Sequence, residues 1–208
     1  LSIPFVMATA GCTPEYLNKS KYSSYTVDDE IEGYKVTDYL ISLGHKKIAI
    51  LCGERGITSV GQLRLKGYKR ALKDAGIEIN ESLICPMKDD VEYYSLQNGY
   101  ETMKDLLDVT RDITAVFAIS DVLAIGACRA IKDAGLRVPE DISVVGYDGI
   151  EMGRFVNPSL TTLKQPVEKI AKASAELIFE MIEGETTHSH RTFEGELIER
   201  ESTCRANR

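Results

Sequence analysis

The chain has 208 residues, 43% of them hydrophobic and 27% charged, and its 25 Lys and Arg against 32 Asp and Glu give a net charge of −7. No apolar run approaches the roughly 18 residues that a membrane-spanning helix needs, and the mixed composition excludes a disordered or low-complexity chain. The acidic balance argues against this segment itself wrapping nucleic acid, because DNA and RNA attract basic surfaces. We therefore expect a globular chain of one domain or two small ones that does not contact a membrane.

Five cysteines are scattered along the chain. They form no Cys-x-x-Cys or Cys/His pattern, and their odd number and wide spacing are typical of reduced thiols rather than of a disulfide framework or a zinc site. No basic region followed by an apolar stretch indicates a signal peptide, although the first residue is Leu1 and not Met. We therefore expect a cytoplasmic protein. The five cysteines are Cys12, Cys52, Cys85, Cys128 and Cys204.

Near-continuous apolar runs recur along the chain and predict strands. Because these runs do not alternate between apolar and polar residues, we expect a sheet that is covered on both faces. The tail predicts one more short strand over Phe193–Ile198. The predicted buried strands are Ile3–Met7, Lys47–Leu51, Leu83–Cys85, Thr114–Ile119 and Ile142–Gly146.

Amphipathic segments separate these strands and predict helices. The apolar residues between Val60 and Ala75 share one face, and further helices are expected over 93–107 and 122–134. The strand–helix rhythm of roughly 30 residues is typical of βαβ units, so the sequence predicts an α/β fold with a mostly parallel sheet. Glycines are favoured just after a helix, in the left-handed conformation. The glycines predicted to end helices are Gly44, Gly76, Gly135 and Gly184.

Polar side chains follow the predicted strands, and ligands of open parallel sheets bind beyond the carboxyl ends of the strands. Carboxylates and a guanidinium hold neighbouring hydroxyl groups through charge-assisted hydrogen bonds, while an aromatic ring covers the apolar side of a ligand ring. This set therefore favours a polyhydroxylated small molecule. The polar residues that come after the central strands are Glu54, Arg55, Arg64, Ser120, Asp121, Tyr147 and Asp148.

Each of these residues also has a purely structural interpretation. Asp121 precedes a predicted helix and is a candidate for its N-cap, a role that does not prevent it from lining a site. Asp148 and Gly149 form a typical turn pair. Arg64 is a candidate for a solvated charge on a helix, which is the usual situation of a single Arg.

The pair Tyr93 and Tyr94 is predicted to open a helix just beyond a strand. A ring at this position is suited to stacking on a ligand in the cleft, and equally suited to anchoring the helix.

Catalytic and metal-binding signatures are not found in the sequence. It contains no G-x-G-x-x-G, Walker, G-x-S-x-G or H-E-x-x-H motif, so we expect no enzyme and no cofactor. His45 follows a helix-ending glycine and is predicted to be structural. His188 and His190 have a spacing that suits a metal, but no third ligand is placed nearby, and a solvated loop is favoured. The pair at 89–90, two aspartates, is also predicted to lie in a loop.

Six blocks of the sequence, in the right order, resemble the lactose/galactose-repressor (LacI/GalR) family of transcriptional regulators. Together they cover nearly the whole chain, and the most specific is GLRVPEDISVVGYD over Gly135–Asp148. The other blocks are LGHKKIAI (Leu43–Ile50), RLKGY (Arg64–Tyr68), SDVLAIGA (Ser120–Ala127), PSLTTLKQP (Pro158–Pro166) and ELIERES (Glu196–Ser202).

The resemblance implies a fold like that of type I periplasmic binding proteins, with two parallel-sheet subdomains, helices on both faces and the ligand in the cleft between them. It assigns residues 1–52 plus 164–187 to a partial N-terminal subdomain and residues 53–163 plus 188–208 to a C-terminal effector-binding subdomain. The three connections between them act as the hinge. A complete family member begins with a DNA-binding helix-turn-helix domain, which we expect this chain to lack, either as a fragment or because upstream residues are not included.

The resemblance also implies site residues. Arg64, Asp148 and Gln165 match effector contacts of the family, and Tyr94 falls where an aromatic ring often stacks on the sugar. Ser120 stands where many members have Asn before the residue that matches Asp121. The identity of the effector is therefore left open.

The function implied by the resemblance is a regulator in which a small effector, a sugar or a related metabolite, changes the affinity of a homodimer for operator DNA. An extracytoplasmic sugar-binding protein of a transporter is the alternative, because it would share the fold. The five scattered thiols and the repressor-like blocks argue against that alternative. A third interpretation, an enzyme, lacks a nucleophile–base pair in the sequence.

Overall fold

The structure is a computed structural model that describes residues 3–8, 22–52, 59–184 and 188–206. Cys12, Glu54 and Arg55 therefore lie outside the described residues. The α-helices are α1 (Asp29–Ser42), α2 (Val60–Asp74), α3 (Leu96–Val109), α4 (Asp121–Asp133) and α5 (Val167–Glu183). The strands are β1 (Val6–Ala8), β2 (Ser23–Val27), β3 (Ile48–Cys52), β4 (Ile84–Pro86), β5 (Ala115–Ala118), β6 (Ser143–Asp148), β7 (Thr161–Lys164), β8 (His190–Phe193) and β9 (Glu196–Ile198).

The described strands form two sheets. The smaller has the order β1-β2-β8, with all strands parallel, and the larger has the order β4-β3-β5-β6-β7-β9. Only β9 in the larger sheet runs antiparallel to its neighbour, β7. The α/β fold with mostly parallel sheets that the sequence predicted is thus confirmed.

The main core lies in the larger sheet and its helices. All residues of β3 and β5 are buried, as expected for strands that are covered on both faces. Phe117 of β5 and Leu40 of α1 are completely buried in this core. A second, smaller core joins the small sheet to α5 through Ile170 and Leu177. The cysteines at 52, 85, 128 and 204 are free thiols, in agreement with the prediction for the described part of the chain.

Two strands escaped prediction because they are rich in hydroxyl side chains. β2 has the sequence SSYTV and β7 has TTLK, so neither is a continuous apolar run. Most of these side chains are nevertheless buried. Their hydroxyls find hydrogen-bond partners inside the protein, as shown by the bond between the Oγ1 atoms of Thr161 and Thr203 at 2.9 Å. Hydrogen-bonded threonines thus take the place of apolar residues in these strands.

The predicted strand over Phe193–Ile198 is wrong as a single element. Its two ends belong to β8 and β9, which lie in different sheets and are separated by Glu194 and Gly195. The predicted helix over 93–107 begins three residues later, at Leu96, because Ser95 caps it by accepting the N–H of Asn98 at 3.1 Å. All four predicted helix-ending glycines have positive φ, between +68° and +93°.

Within the described ranges the chain crosses between the two sheets three times, at Asp28, at Gln165–Pro166 and at Glu194–Gly195. These crossings correct the predicted subdomain boundaries in two places. β3, assigned to the N-terminal subdomain, pairs with β4 and β5 in the large sheet. β8, assigned to the C-terminal subdomain, pairs with β2 in the small sheet. The sheet to which a strand belongs depends on pairing between segments that are far apart in the chain, and the local sequence does not reveal this pairing. The other predicted subdomain boundaries stay a prediction.

Helices α1 and α2 approach each other closely through two glycines. A Cβ atom on Gly33 would lie 2.5 Å from the Arg64 carbonyl oxygen, and one on Gly67 would overlap the Glu30 carbonyl oxygen. Any side chain at either position would therefore push the helices apart. This close crossing brings Arg64 of α2 beside the first turn of α1.

Replacing Gly67 with Ala is expected to lower the free energy of unfolding by roughly 1–3 kcal/mol, although Ala is the better helix former, because the new methyl group meets rigid backbone. Urea unfolding measures this change. Gly153→Ala is the control, since its nearest neighbour would be the Arg200 side chain at 3.3 Å, which can move. Equal stability of Gly67→Ala and wild type would show that the close approach of α1 and α2 does not contribute to the stability of the fold.

Candidate functional site

Arg64 is the first residue of the candidate site and lies almost completely buried in α2. Its Nε and Nη2 atoms both donate to Asp29 Oδ1, at 2.9 and 2.8 Å. Its Nη1 atom donates to the carbonyl oxygen of Ile119, at the end of β5, at 2.5 Å. The guanidinium also stacks on the Tyr147 ring, 3.5 Å from the ring centroid. The interpretation of Arg64 as a solvated charge is therefore wrong.

Asp29 is the buried partner of Arg64, and the sequence analysis did not single it out. It occupies the first position of α1, after Asp28 caps the helix by accepting the N–H groups of Glu30 and Ile31. Burial raises the pKa of Asp29, and the neighbouring Arg64 opposes that rise. In the sequence Asp29 is one of several acidic residues at a helix start, where carboxylates are common because they complement the helix dipole. No local signal separates it from its neighbours.

Asp148 is the last residue of β6 and directly follows Tyr147, on whose ring Arg64 stacks. Its φ is +117°, a left-handed conformation that is strained for any residue other than glycine and often marks functional positions. The carboxylate accepts the side-chain N–H of Gln165 at 2.7 Å and the backbone N–H of Asp121. Burial raises the pKa of Asp148, and the Arg64 guanidinium, which covers the ring of the preceding residue, Tyr147, opposes that rise. Asp148 is the last residue of β6 and both Asp148 and Gly149 have positive φ, so the turn interpretation stays a prediction.

Gln165 lies in the second crossing and is tied to Asp148 twice. Besides the side-chain bond, its backbone N–H donates to the Asp148 carbonyl oxygen at 3.1 Å. A cavity of about 280 Å³ opens beside these two residues and is also lined by Gly149, Lys164 and Glu194. The site thus reaches from the edge of the large sheet to the crossings.

Ser120, and not Asp121, is the N-cap of α4. The Ser120 hydroxyl accepts the N–H of Leu123 at 3.4 Å, so the capping interpretation of Asp121 is wrong. The buried Asp121 carboxylate instead accepts the Thr162 hydroxyl at 2.6 Å and the Ile150 N–H at 2.8 Å. It therefore links β7 to the segment that follows β6. Whether Ser120 and Asp121 also contact a ligand stays a prediction.

Burial raises the pKa of Asp121 from 3.8 to about 6, which makes stability depend on pH. An acid whose pKa is raised by folding stabilises the fold when protonated, and this contribution is lost as the pH rises through about 6. Between pH 5 and 7 we expect Asp121 alone to remove about 1.4 kcal/mol from the free energy of unfolding. Urea unfolding at several pH values measures the free energy of unfolding as a function of pH. This free energy should change less steeply with pH for Asp121→Asn than for wild type. The exposed variant Asp133→Asn should keep the wild-type slope, and equal slopes in all three proteins would contradict the assignment.

Tyr94 lies in the turn before α3 and is partly exposed. Its ring packs edge-on against Tyr93, with the ring centroids 5.9 Å apart, and Tyr93 itself packs against the main core. Tyr93 thus anchors the turn. The stacking of Tyr94 on a ligand stays a prediction.

His188, His190 and the aspartate pair at 89–90 are the residues whose spacing was weighed for a metal ion. Among the described residues, no three His, Cys, Asp or Glu side chains are arranged to hold a metal ion. His190 lies in β8, where its Nδ1 atom is 3.0 Å from the Ser24 hydroxyl. His45 is buried, with its ring nitrogens 3.0 Å from Thr114 Oγ1 and from the Cys204 carbonyl oxygen, so its predicted structural role is confirmed. Within the described ranges, no helix has the length and apolar character needed to cross a membrane.

Comparison with known proteins identifies the family. A model described as periplasmic binding protein-like domain matches residues 37–203. The HTH-type transcriptional regulator MalR of Clostridium butyricum is 39% identical over 202 residues, which are 97% of this chain and 58% of that protein.

Solved structures agree with this match. A complex of the transcriptional regulator CelR with cellobiose superposes with a TM-score of 0.85 at 33% identity, covering 96% of this chain and 58% of that one. A LacI family transcriptional regulator from Enterococcus faecium with bound ribose gives 0.83 at 30% identity, covering 98% of this chain and 72% of that one. The chain spans about half the length of the curated relatives it matches. From the matched domain, the shared architecture and these relatives, we conclude that the chain belongs to the LacI/GalR family and carries its periplasmic-binding-protein-like core.

Proposed function

We propose that this chain is the effector-sensing part of a transcriptional regulator and not an enzyme. The observation that supports the proposal is that the Arg64 guanidinium stacks on the ring of Tyr147, the residue before Asp148, and that the Asp148 carboxylate lies at the carboxyl edge of the large sheet and is bound to Gln165 of the second crossing. A bound effector that favours one angle between the sheets would alter the affinity of the whole protein for operator DNA. A difference of about 1–3 kcal/mol between the two states is enough for such coupling.

The effector we propose is a sugar or a related polyhydroxylated metabolite. The Asp148 carboxylate accepts hydrogen bonds from hydroxyl groups, and Arg64 has further N–H groups to donate beyond those bound to Asp29 and Ile119. The stacking of Arg64 on Tyr147 holds the planar guanidinium in place. The sugars named in the CelR and Enterococcus faecium structures support this class, and so do their names as regulators, which argue against a transporter component.

Thermal unfolding of the full chain with ribose, glucose, cellobiose, maltose and adenosine tests the effector class. A ligand present at about 100 times its dissociation constant adds about 2.7 kcal/mol to the free energy of unfolding. We expect at least one sugar to raise the melting temperature. A second experiment measures binding of the full-length protein to operator DNA in a mobility-shift assay. The same sugar should change the affinity of that protein for the DNA. Response to adenosine alone would contradict the sugar assignment, and absence of DNA binding would favour the transporter alternative.

We further propose that the protein is cytoplasmic and forms a homodimer. Exposed apolar side chains on one part of the surface support the dimer. Met152 and Phe155 are 53% and 78% exposed in and after the 3-10 helix Glu151–Arg154. Beside them, Ile125 and Val156 line a groove of about 460 Å³. Neighbouring exposed apolar side chains of this kind are typical of protein–protein interfaces.

Replacing Phe155 with Glu is expected to weaken dimerisation at least about 30-fold, because aromatic residues at the centre of an interface each contribute 2 kcal/mol or more. Sedimentation velocity across a concentration series measures this change. Val109→Glu is the matched control, since Val109 is equally exposed but lies alone at the end of α3. A dimer that survives Phe155→Glu would place the interface elsewhere.

A further inference from the structure

Glu32 is a buried carboxylate beside the hinge that the proposed mechanism does not use. It lies one turn after Asp29 in α1, and its side chain is 1% exposed. Oε1 accepts the backbone N–H of Gly195 at 3.1 Å and faces Lys35 Nζ at 3.2 Å. Within the described part of the chain, Oε2 is buried and has no hydrogen-bond partner. A half-satisfied buried carboxylate is unfavourable for stability, so its position calls for a reason.

The position of Gly195 supplies that reason. Gly195 belongs to the third crossing, and α1 follows directly from the first crossing. A Cβ atom on Gly195 would lie 3.2 Å from Glu32 Oε2 and 3.1 Å from the carbonyl oxygen of Lys164, the residue before the second crossing. The Glu32 carboxyl group therefore lies where all three crossings come together.

Glu32 also lies near the ligand residues without belonging to them. Its charge acts on Tyr147, the ring that Arg64 covers. Lys35, which pairs with Glu32, lies 4.0 Å from Glu194 of the third crossing. Burial raises the pKa of Glu32, which shows that the ionised form is poorly solvated here.

We propose that Glu32 is a positioning residue of the hinge, which clamps the third crossing to α1 through Gly195 and so sets how readily the crossings move when an effector binds. The effector response rests on the proposed function, but the clamp itself does not. Within the described residues a single hydrogen bond joins the Glu32 carboxylate to the third crossing, so the clamp restrains this crossing and still allows it to move.

Hydrogen exchange of the full chain without any sugar tests the clamp. Glu32→Ala should speed exchange at the amides of Gly195 and Gln165 at least about 10-fold, while the amides of β5 keep their protection. Glu32→Gln should stay within about twofold of wild type, because its amide oxygen still accepts from Gly195. Glu30→Ala, which removes surface ion pairs of the same helix with Lys66 and Arg70, is the matched control and should change nothing at the crossings.

Two outcomes would overturn the proposal. If Glu32→Ala speeds exchange at Gly195 alone, Glu32 makes only a local hydrogen bond and does not position the crossings. If exchange also becomes faster in β5, Glu32 stabilises the whole fold and not the hinge in particular. A second arm repeats the ribose and cellobiose titrations with Glu32→Ala, where a change in affinity of at least about threefold is expected. If neither sugar binds the wild type, the proposed function fails while the exchange result still decides the clamp.

Discussion

Replacing Arg64 with Met should lower the free energy of unfolding by roughly 3–5 kcal/mol, which is the largest loss we expect from any single side chain of the site. The reason is the charge that the variant leaves behind. Asp29 is buried, and both bonds to its Oδ1 atom from Arg64 would be lost. Its burial already raises its pKa in the presence of Arg64, so an unpaired carboxylate at this place is strongly unfavourable. Urea unfolding at pH 7 measures the loss.

Two further variants separate the buried charge from other effects of the substitution. Arg70→Met lies on the same helix, but the Arg70–Glu30 pair is partly exposed, so the change should stay below about 1 kcal/mol. Adding Asp29→Leu to Arg64→Met removes the unpaired charge and should recover most of the stability, since apolar residues often replace a buried ion pair without loss. If the double variant is as unstable as the single one, the guanidinium stabilises the fold through Ile119 and Tyr147 rather than through Asp29.

Replacing Asp148 with Asn should weaken binding of the responding sugar at least about 30-fold, or about 2 kcal/mol, because hydrogen bonds from hydroxyls to a charged carboxylate are stronger than those to an amide. The fold should survive. Asn is among the residues that tolerate a positive φ, and its oxygen can still accept from Gln165. Titration calorimetry with the sugar identified in the thermal panel measures affinity, and circular dichroism monitors the fold.

Asp133→Asn serves as the control for this experiment, because Asp133 pairs with Arg129 at the far end of α4. It should leave the affinity unchanged. Wild-type sugar affinity in Asp148→Asn would remove Asp148 from the binding site and, with it, the strongest support for the sensing function.

The sequence indicated two residues of the candidate site but not the buried partner of one of them. Asp148 could be singled out because it ends a recognisable apolar strand, and Arg64 because it lies in the helical segment that comes after another such strand; the carboxyl ends of parallel strands meet at one edge. Asp29 could not be found in this way, since it lies 35 positions from Arg64 and resembles any acidic residue of a first helical turn. Asp121 was found, but its capping role was wrong because Ser120 took that position.

What the sequence determined by itself is the local part of this protein. Continuous apolar runs placed β3, β5 and β6, and glycines after the periodic segments placed the ends of helices, because both depend only on neighbouring residues. The tertiary structure alone decided the pairing of Arg64 with Asp29, the division of the tail into two sheets and the burial of Glu32 at the crossings. These features depend on contacts between segments that are distant in the sequence. They are set by which strands pair and by how closely the helices approach each other.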